Sequence, residues 1–275
     1  VVCGSTESQV TGITSDSRKM QDGYAFVCIK GAVSDGHKYI DQIKDKASVI
    51  VVLDGEYEAK DCKAAVVSTD NTRLALALMS AAIYGNPDKK LFTIGITGTK
   101  GKTTTTYMVK NVLEACGIKT GLIGTIETII GDEAIPAHNT TPESIEIHQS
   151  FAKMVDAGCK AVVMEVSSQG LKLDRTAGIM FDIGVFTNLE PTISDLMSMS
   201  HLRITLTVRQ SYSSSARLVS LMLMISIPKI SLGEQYVRLK AMVSEIMLIL
   251  RLKILNFYMN RVKLVLHMIV QDLLI

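Results

Sequence analysis

Leu91-Phe92-Thr93-Ile94-Gly95-Ile96-Thr97-Gly98-Thr99-Lys100-Gly101-Lys102-Thr103-Thr104 is the stretch that decides how this chain is read. Leu91–Thr97 is largely apolar and β-branched and predicts a buried strand. A glycine-rich turn follows. A helix is then expected from about Lys102 to Cys116, with Gly117 as its left-handed cap. Strand, glycine turn and helix in that order are the setting a phosphate-binding loop requires. Glycines let backbone N–H groups curl around phosphate oxygens, and the helix N-terminus adds positive potential. On this reading Gly98, Thr99, Lys100, Gly101, Lys102, Thr103 and Thr104 bind ATP. Lys102 neutralises phosphate charge and the Thr103 hydroxyl ligates Mg²⁺. Gly95 stands one residue too early for the strict GxxxxGK(S/T) spacing, so the loop is a variant.

A second chemical group lies further along. Glu165 ends the otherwise apolar strand expected over Ala161–Val166. Ligands gather at the C-terminal edge of an open parallel sheet. A carboxylate at that edge can hold Mg²⁺ beside the phosphate loop, so Glu165 joins Lys102 as a candidate catalytic residue and Thr103 as a candidate metal ligand.

Around these landmarks, residues 24 to 190 alternate short apolar runs with helical stretches, the mark of an α/β protein with a parallel sheet. Strands are expected at Ala25–Ile29, Ser48–Leu53, Ala64–Val67 and Phe181–Asn188. Helices are expected at Asp41–Ala47 and Asn71–Tyr84, the latter capped at Asp70 or Asn71. Gly85-Asn86-Pro87 stops that helix and marks a boundary. The expected organisation is a small α/β domain over 1–87, an incomplete parallel-sheet ATP-binding domain over 88–191, and a tail over 192–275.

The remaining composition narrows the field. An apolar share of 47%, a charged share of 20% and a net charge of +2 suit a packed globular protein and give no basic surface for nucleic acid. Cys3, Cys28, Cys62, Cys116 and Cys159 are scattered without a CxxC pair, as expected for reduced thiols in a cytoplasm. The longest apolar runs, such as Leu218–Ile227, are too short to span a bilayer, which predicts a soluble chain with no membrane partner. The chain begins Val1-Val2 with no Met, which suggests a short missing N-terminal piece.

Several further segments share one resemblance. They are Ser15-Asp16-Ser17-Arg18, Asp22-Gly23-Tyr24-Ala25-Phe26-Val27, Asp35-Gly36-His37-Lys38-Tyr39-Ile40, Asn139-Thr140-Thr141-Pro142 and Met164-Glu165-Val166-Ser167-Ser168. With Gly98–Thr103 they resemble, in order and spacing over residues 13–190, the Mur ligases, and within them the type performing the third amino-acid addition. Lys100 stands where that family commonly has Asn, and Gln169 where it commonly has His. The resemblance implies an N-terminal uridine-binding domain and a central ATPase domain. It implies that Ser17 and the turn at 31–34 line the UDP-sugar site. It implies that Asn139, Thr140, Thr141, Ser167 and Arg175 hold a UDP-N-acetylmuramoyl-dipeptide. Arg175 can offer a forked partner to an anion. Taken singly, Ser17 could equally cap a turn, Arg175 form a surface ion pair, and Thr140-Thr141 an ordinary loop. The implied reaction is ATP-dependent amide formation through an acyl phosphate, with Mg²⁺, an amino-acid co-substrate and a monomeric enzyme.

Past Pro191 the pattern changes. Of 19 glycines only Gly233 falls in the last 85 residues, while eight of 14 methionines do. The resembling family continues with Asp-His and later a Cys-Lys whose lysine is carbamylated; this chain reads Thr192-Ile193-Ser194. Joining the last base of each codon to the first two of the next allows Pro191–Ser200 to be decoded as Asp-His-Ile-Gly-Pro-Asn-Glu-His-Glu, and Thr207–Arg209 as Cys-Lys. Met224 followed by Ile225 can then give only Asp. A shifted reading frame after 191 is therefore expected, with a tail lacking a selected binary pattern, no amine-binding domain and no ligase turnover. Rival readings are another ligase of the superfamily, of folylpolyglutamate or D-Ala-D-Ala-adding type, and a non-catalytic protein that binds a nucleotide or UDP precursor. Diaminopimelate and lysine remain equally open as the amino acid.

Overall fold

The computed structural model describes residues 3–4, 7–31, 34–57, 63–188 and 216–224. Two sheets organise them. The first is wholly parallel, in the order β1 (Gly12–Thr14), β2 (Tyr24–Val27), β3 (Val49–Leu53), β4 (Ala65–Thr69). Strand alternation splits its side chains between two cores. Phe26, Ile50 and Val52 pack on one face with Ile40 and Ile43 of the short helix α1 (Ile40–Ile43). Ala25, Val27 and Val51 face the other way, onto Leu76 of α2 (Thr72–Ile83). The expected helix over Asp41–Ala47 is thus a single α-turn, and a 3-10 turn at Gly36–Tyr39 leads into it.

α2 begins where the sequence predicts: the Asn71 side chain accepts from Leu74 N–H at 3.0 Å, satisfying one of the orphan donors of the first turn. Its end is also as read. Gly85 and Asn86 adopt left-handed backbone (φ 73° and 49°), and Pro87 opens a short 3-10 turn.

The second sheet has seven strands in the order β11-β10-β5-β9-β6-β7-β8. The central ones are β5 (Phe92–Thr97), β6 (Thr120–Ile123), β9 (Ala161–Glu165) and β10 (Phe181–Asn188), all parallel. The expectation of a parallel sheet holds for this centre. At one margin β7 (Glu127–Ile130) and β8 (Glu133–Pro136) add an antiparallel hairpin that the sequence reading lacked. At the other margin β11 (Ala216–Met224) pairs in parallel with β10. The sheet therefore extends past the boundary expected at residue 191. Backbone pairing needs no particular side chains, and Ala216–Met224 is an unbroken run without Gly or Pro. The rest of the tail, where the shifted frame was read, lies outside the described residues.

Helices cover both faces of this sheet. α3 (Lys102–Ala115) packs Val109 and Leu113 against Ile94, Ile96 and Val163. α4 (Ser144–Asp156) packs Ile147, Phe151 and Met154 against Val162 and Met164. α4 also reaches the first domain: its Ile145 joins the cluster of Ile13, Val51 and Leu76. The two sheets are thus joined by a shared apolar seam, and by a 2.9 Å hydrogen bond from Asn71 Nδ2 to Asp174 Oδ2.

Candidate functional site

β5 lies between β9 and β10, and the loop leaving its C-terminal end is the predicted phosphate loop. Gly98 (φ 148°) and Gly101 (φ 79°) take backbone angles that side-chain-bearing residues rarely adopt, and Gly101 is the N-cap of α3. The first amides of a 14-residue helix therefore open at the sheet edge. Lys102 Nζ donates to Gly98 O at 2.8 Å and Thr99 O at 3.3 Å, so the cation lies over the loop. Thr187, at the end of β10, donates its hydroxyl to Lys100 O at 2.7 Å and braces the loop from the neighbouring strand. Thr104 is exposed on the first turn.

Register carries Glu165 to this loop. Glu165 pairs with Ile96, and Val166 N–H donates to Ile96 O at 2.8 Å. The Glu165 side chain is fully buried, and its Oε2 accepts the Thr103 hydroxyl at 3.1 Å. Burying a carboxylate is costly unless it is hydrogen-bonded. Thr125, just past β6, meets that need: its N–H donates to Oε1 at 2.9 Å and its hydroxyl reaches Oε2 at 3.0 Å. Nearby, Tyr107 donates to Glu127 Oε1 at 2.6 Å; burial and that carboxylate push the phenol up to about 12.

One carboxylate and one hydroxyl at a phosphate cradle fit Mg²⁺, which usually takes one or two protein ligands and fills its shell with phosphate and water oxygens. No cluster of three or more His, Cys, Asp or Glu side chains able to hold a metal occurs among the described residues, so the donors do not amount to an all-protein metal cage.

The threonine loop sits against the backbone of the same glutamate. Thr141 is buried, donates to Glu165 O at 3.0 Å and accepts from Ser167 N–H at 2.9 Å. Ser167 also caps α5 (Ser168–Lys172) by accepting from Gly170 N–H. Thr140 Oγ1 is 3.0 Å from Thr125 Oγ1, while Asn139 is exposed on the loop. Arg175 donates Nη1 to Thr141 O at 2.8 Å and pairs Nη2 with Glu143 at 2.6 Å. Its buried Nε has no hydrogen-bond partner among the described residues. The guanidinium expected to meet an anion is thus largely held by this loop.

Ser17 belongs to a different edge. It opens a 3-10 turn just after β1, at the C-terminal side of the first sheet, with Asp16 as its cap. Arg18 holds the Asp16 carboxyl down at about 2. His37 reaches the same side of that sheet: its Nε2 accepts from Leu53 N–H at 3.0 Å and its Nδ1 lies 2.6 Å from Asp35. Part of the expected turn at 31–34 lies outside the described residues. The structure therefore gathers Lys102, Thr103, Glu165, Thr140, Thr141, Ser167 and Arg175, and leaves Ser17 in the first domain.

Thr125, Glu143 and Thr187 were missed by sequence reasoning. Each acts through a neighbour distant in sequence, and the only local signal was a Thr following Gly121-Leu122-Ile123-Gly124 at a strand end.

Residues 96–195 match the Mur ligase middle domain, and residues 9–84 the catalytic domain of the Mur ligase family. The chain belongs to the Mur ligase family. Among its relatives, the UDP-N-acetylmuramoyl-L-alanyl-D-glutamate--2,6-diaminopimelate ligase of Clostridium perfringens is 49% identical over 190 residues, 69% of this chain and 39% of that protein. The ligase of the same name from Clostridium tetani is 42% identical over 220 residues, 79% of this chain and 44% of its own length. The chain thus spans less than half the length of these Mur ligases. A solved structure of a UDP-N-acetylmuramoyl-L-alanyl-D-glutamate--2,6-diaminopimelate ligase superposes with a TM-score of 0.62 at 19% identity, over 77% of this chain and 43% of that one, which establishes a shared fold.

Proposed function

We propose that this chain is the front part of an ATP-dependent ligase that adds the third amino acid to UDP-N-acetylmuramoyl-L-alanyl-D-glutamate in peptidoglycan synthesis. The names of its relatives favour diaminopimelate over lysine. The observation that carries the reading is the 3.1 Å contact between Thr103 and Glu165, which unites the phosphate loop with a buried carboxylate.

Each group then has a task. The amides of 98–104 and the Lys102 ammonium hold the ATP phosphates and screen their charge. Thr103 and Glu165 would hold Mg²⁺, which would supply further charge neutralisation at the phosphates. Asn139, Thr140, Thr141, Ser167 and Arg175 orient the precursor so that its carboxylate meets the γ-phosphoryl group. The carboxylate oxygen takes the γ-phosphoryl group as its bond to ADP breaks and ADP leaves; the incoming amine then attacks the acyl carbon, loses a proton, and phosphate leaves as the tetrahedral intermediate collapses. Ser17 anchors the uridine end in the first domain.

This chain itself is expected to bind without turning over. Thr192-Ile193-Ser194 stands where the family has Asp-His, and no Cys-Lys pair occurs in the residues after Pro191. The reading includes a cytoplasmic monomer; the four described cysteines are free thiols, and no described helix is long and apolar enough to cross a membrane. Titration with ADP and UDP-muramoyl-dipeptide, beside a phosphate-release assay, tests it. Binding of both without release is the expected result. Release that depends on precursor and amino acid would overturn the inactivity, and failure to bind either ligand would overturn the assignment.

A further inference from the structure

We infer that Thr125 is a positioning residue that ties the 139–142 loop to the Glu165 carboxylate. The inference rests on the reading of Glu165 as a Mg²⁺ ligand.

Thr125 occupies both carboxylate oxygens at once, its N–H on Oε1 at 2.9 Å and its hydroxyl on Oε2 at 3.0 Å. Two donors from one residue fix the plane of the carboxyl group as well as its position. A threonine hydroxyl carries one proton, and an ionised carboxylate can only accept. The Thr125 hydroxyl points its one proton between Glu165 Oε2 and Thr140 Oγ1, each at 3.0 Å, so the carboxylate and the loop share a single donor. The result is a continuous path from Thr140 through Thr125 to Glu165, met from the far side by Thr103 of the phosphate loop.

Thr141, next to Thr140, is itself bound to Glu165 O and, through its own carbonyl, to Arg175. The loop expected to hold the precursor therefore grips Glu165 at the backbone through Thr141 and at the carboxylate through Thr140 and Thr125. A shift of that loop reaches the metal-binding oxygens through the Thr125 hydroxyl. Thr125 itself is exposed and off the regular strands.

The test measures ADP affinity of the full chain in Mg²⁺ and in EDTA, for the parent, Thr125→Val, Thr125→Ser and Thr140→Val. Valine keeps the shape and the backbone N–H and removes only the hydroxyl. The Mg²⁺-dependent gain in affinity should fall about tenfold in Thr125→Val, the loss expected for one hydrogen bond to a charged group, with affinity in EDTA unchanged. Serine should restore the gain, and Thr140→Val should lower it by a smaller factor. A full Mg²⁺ gain in Thr125→Val, or an equal loss with and without metal, overturns the inference and leaves the Mg²⁺ reading intact. No effect of Thr140→Val overturns the link to the loop. A parent without any Mg²⁺ gain overturns the metal reading of Glu165, and this inference with it.

Discussion

Gly124 and the Glu165 carboxylate fit together with no spare volume: a Cβ on Gly124 would stand 2.7 Å from Glu165 Oε1. That oxygen is the far end of a flexible side chain, but hydrogen bonds from Thr103 and Thr125 hold the carboxylate in place. Gly124→Ala must therefore displace the carboxylate or break one of those bonds. Mg²⁺-dependent ADP affinity is expected to drop about tenfold, the scale of one charge-assisted bond, with the fold retained by circular dichroism. Unchanged affinity by calorimetry would show that the carboxylate yields without loss.

Lys102 is half-buried over the loop, bound to two carbonyls. Lys102→Met keeps the stem and removes the charge. Nucleotide affinity should fall tenfold or more, roughly the worth of one or two charged hydrogen bonds, while the melting temperature moves little. Retained affinity would mean that backbone amides alone hold the phosphates.

Asn71 has two roles that substitution can separate. Asn71→Ala removes both the α2 cap and the bond to Asp174 and should cost about 1–3 kcal/mol. Asn71→Ser keeps a capping oxygen but is too short to reach Asp174, and should cost roughly half as much. Urea denaturation distinguishes the two; equal losses would mean that only the bond to Asp174 matters.

His148 is almost fully buried, and neither ring nitrogen has a hydrogen-bond partner among the described residues. Burial lowers its pKa below the usual 6.5, with Asp88 opposing in part. With the folded value depressed, the unfolded chain binds the proton more readily. Stability from this group is complete above pH 6.5 and is lost as pH falls through the folded value. The melting temperature should therefore drop between pH 7.5 and 5.5, and His148→Leu should flatten that slope. An identical slope in the variant would assign the effect to other groups.

What could be read from the sequence was local. Ile96 through Thr103 is contiguous, so strand, turn and helix announce the phosphate loop, and Glu165 stands out because it ends an apolar strand. The Asn71 cap and the Gly85–Pro87 stop are likewise short-range signals. β6 escaped because Thr120–Ile123 is short and carries a glycine, which gives it little strand signal. The β7–β8 hairpin escaped because β8 is exposed throughout and so shows no alternation of apolar and polar positions. Thr125 had only the Gly121–Gly124 run before it as a local signal, because its partners lie 15 and 40 positions away in sequence.

α4 has a consequence for how the molecule can be divided. One flank of this helix lies on the nucleotide-side sheet, and Ile145 belongs to the core of the other domain. Cutting after Pro87 would strand greasy surface on both fragments, including Leu78, which a Cβ on Gly178 would crowd at 2.7 Å. The break that looks like a linker in the sequence is therefore a poor place for scissors: each half is the other's lid, and the pair should be expressed, purified and unfolded as one piece.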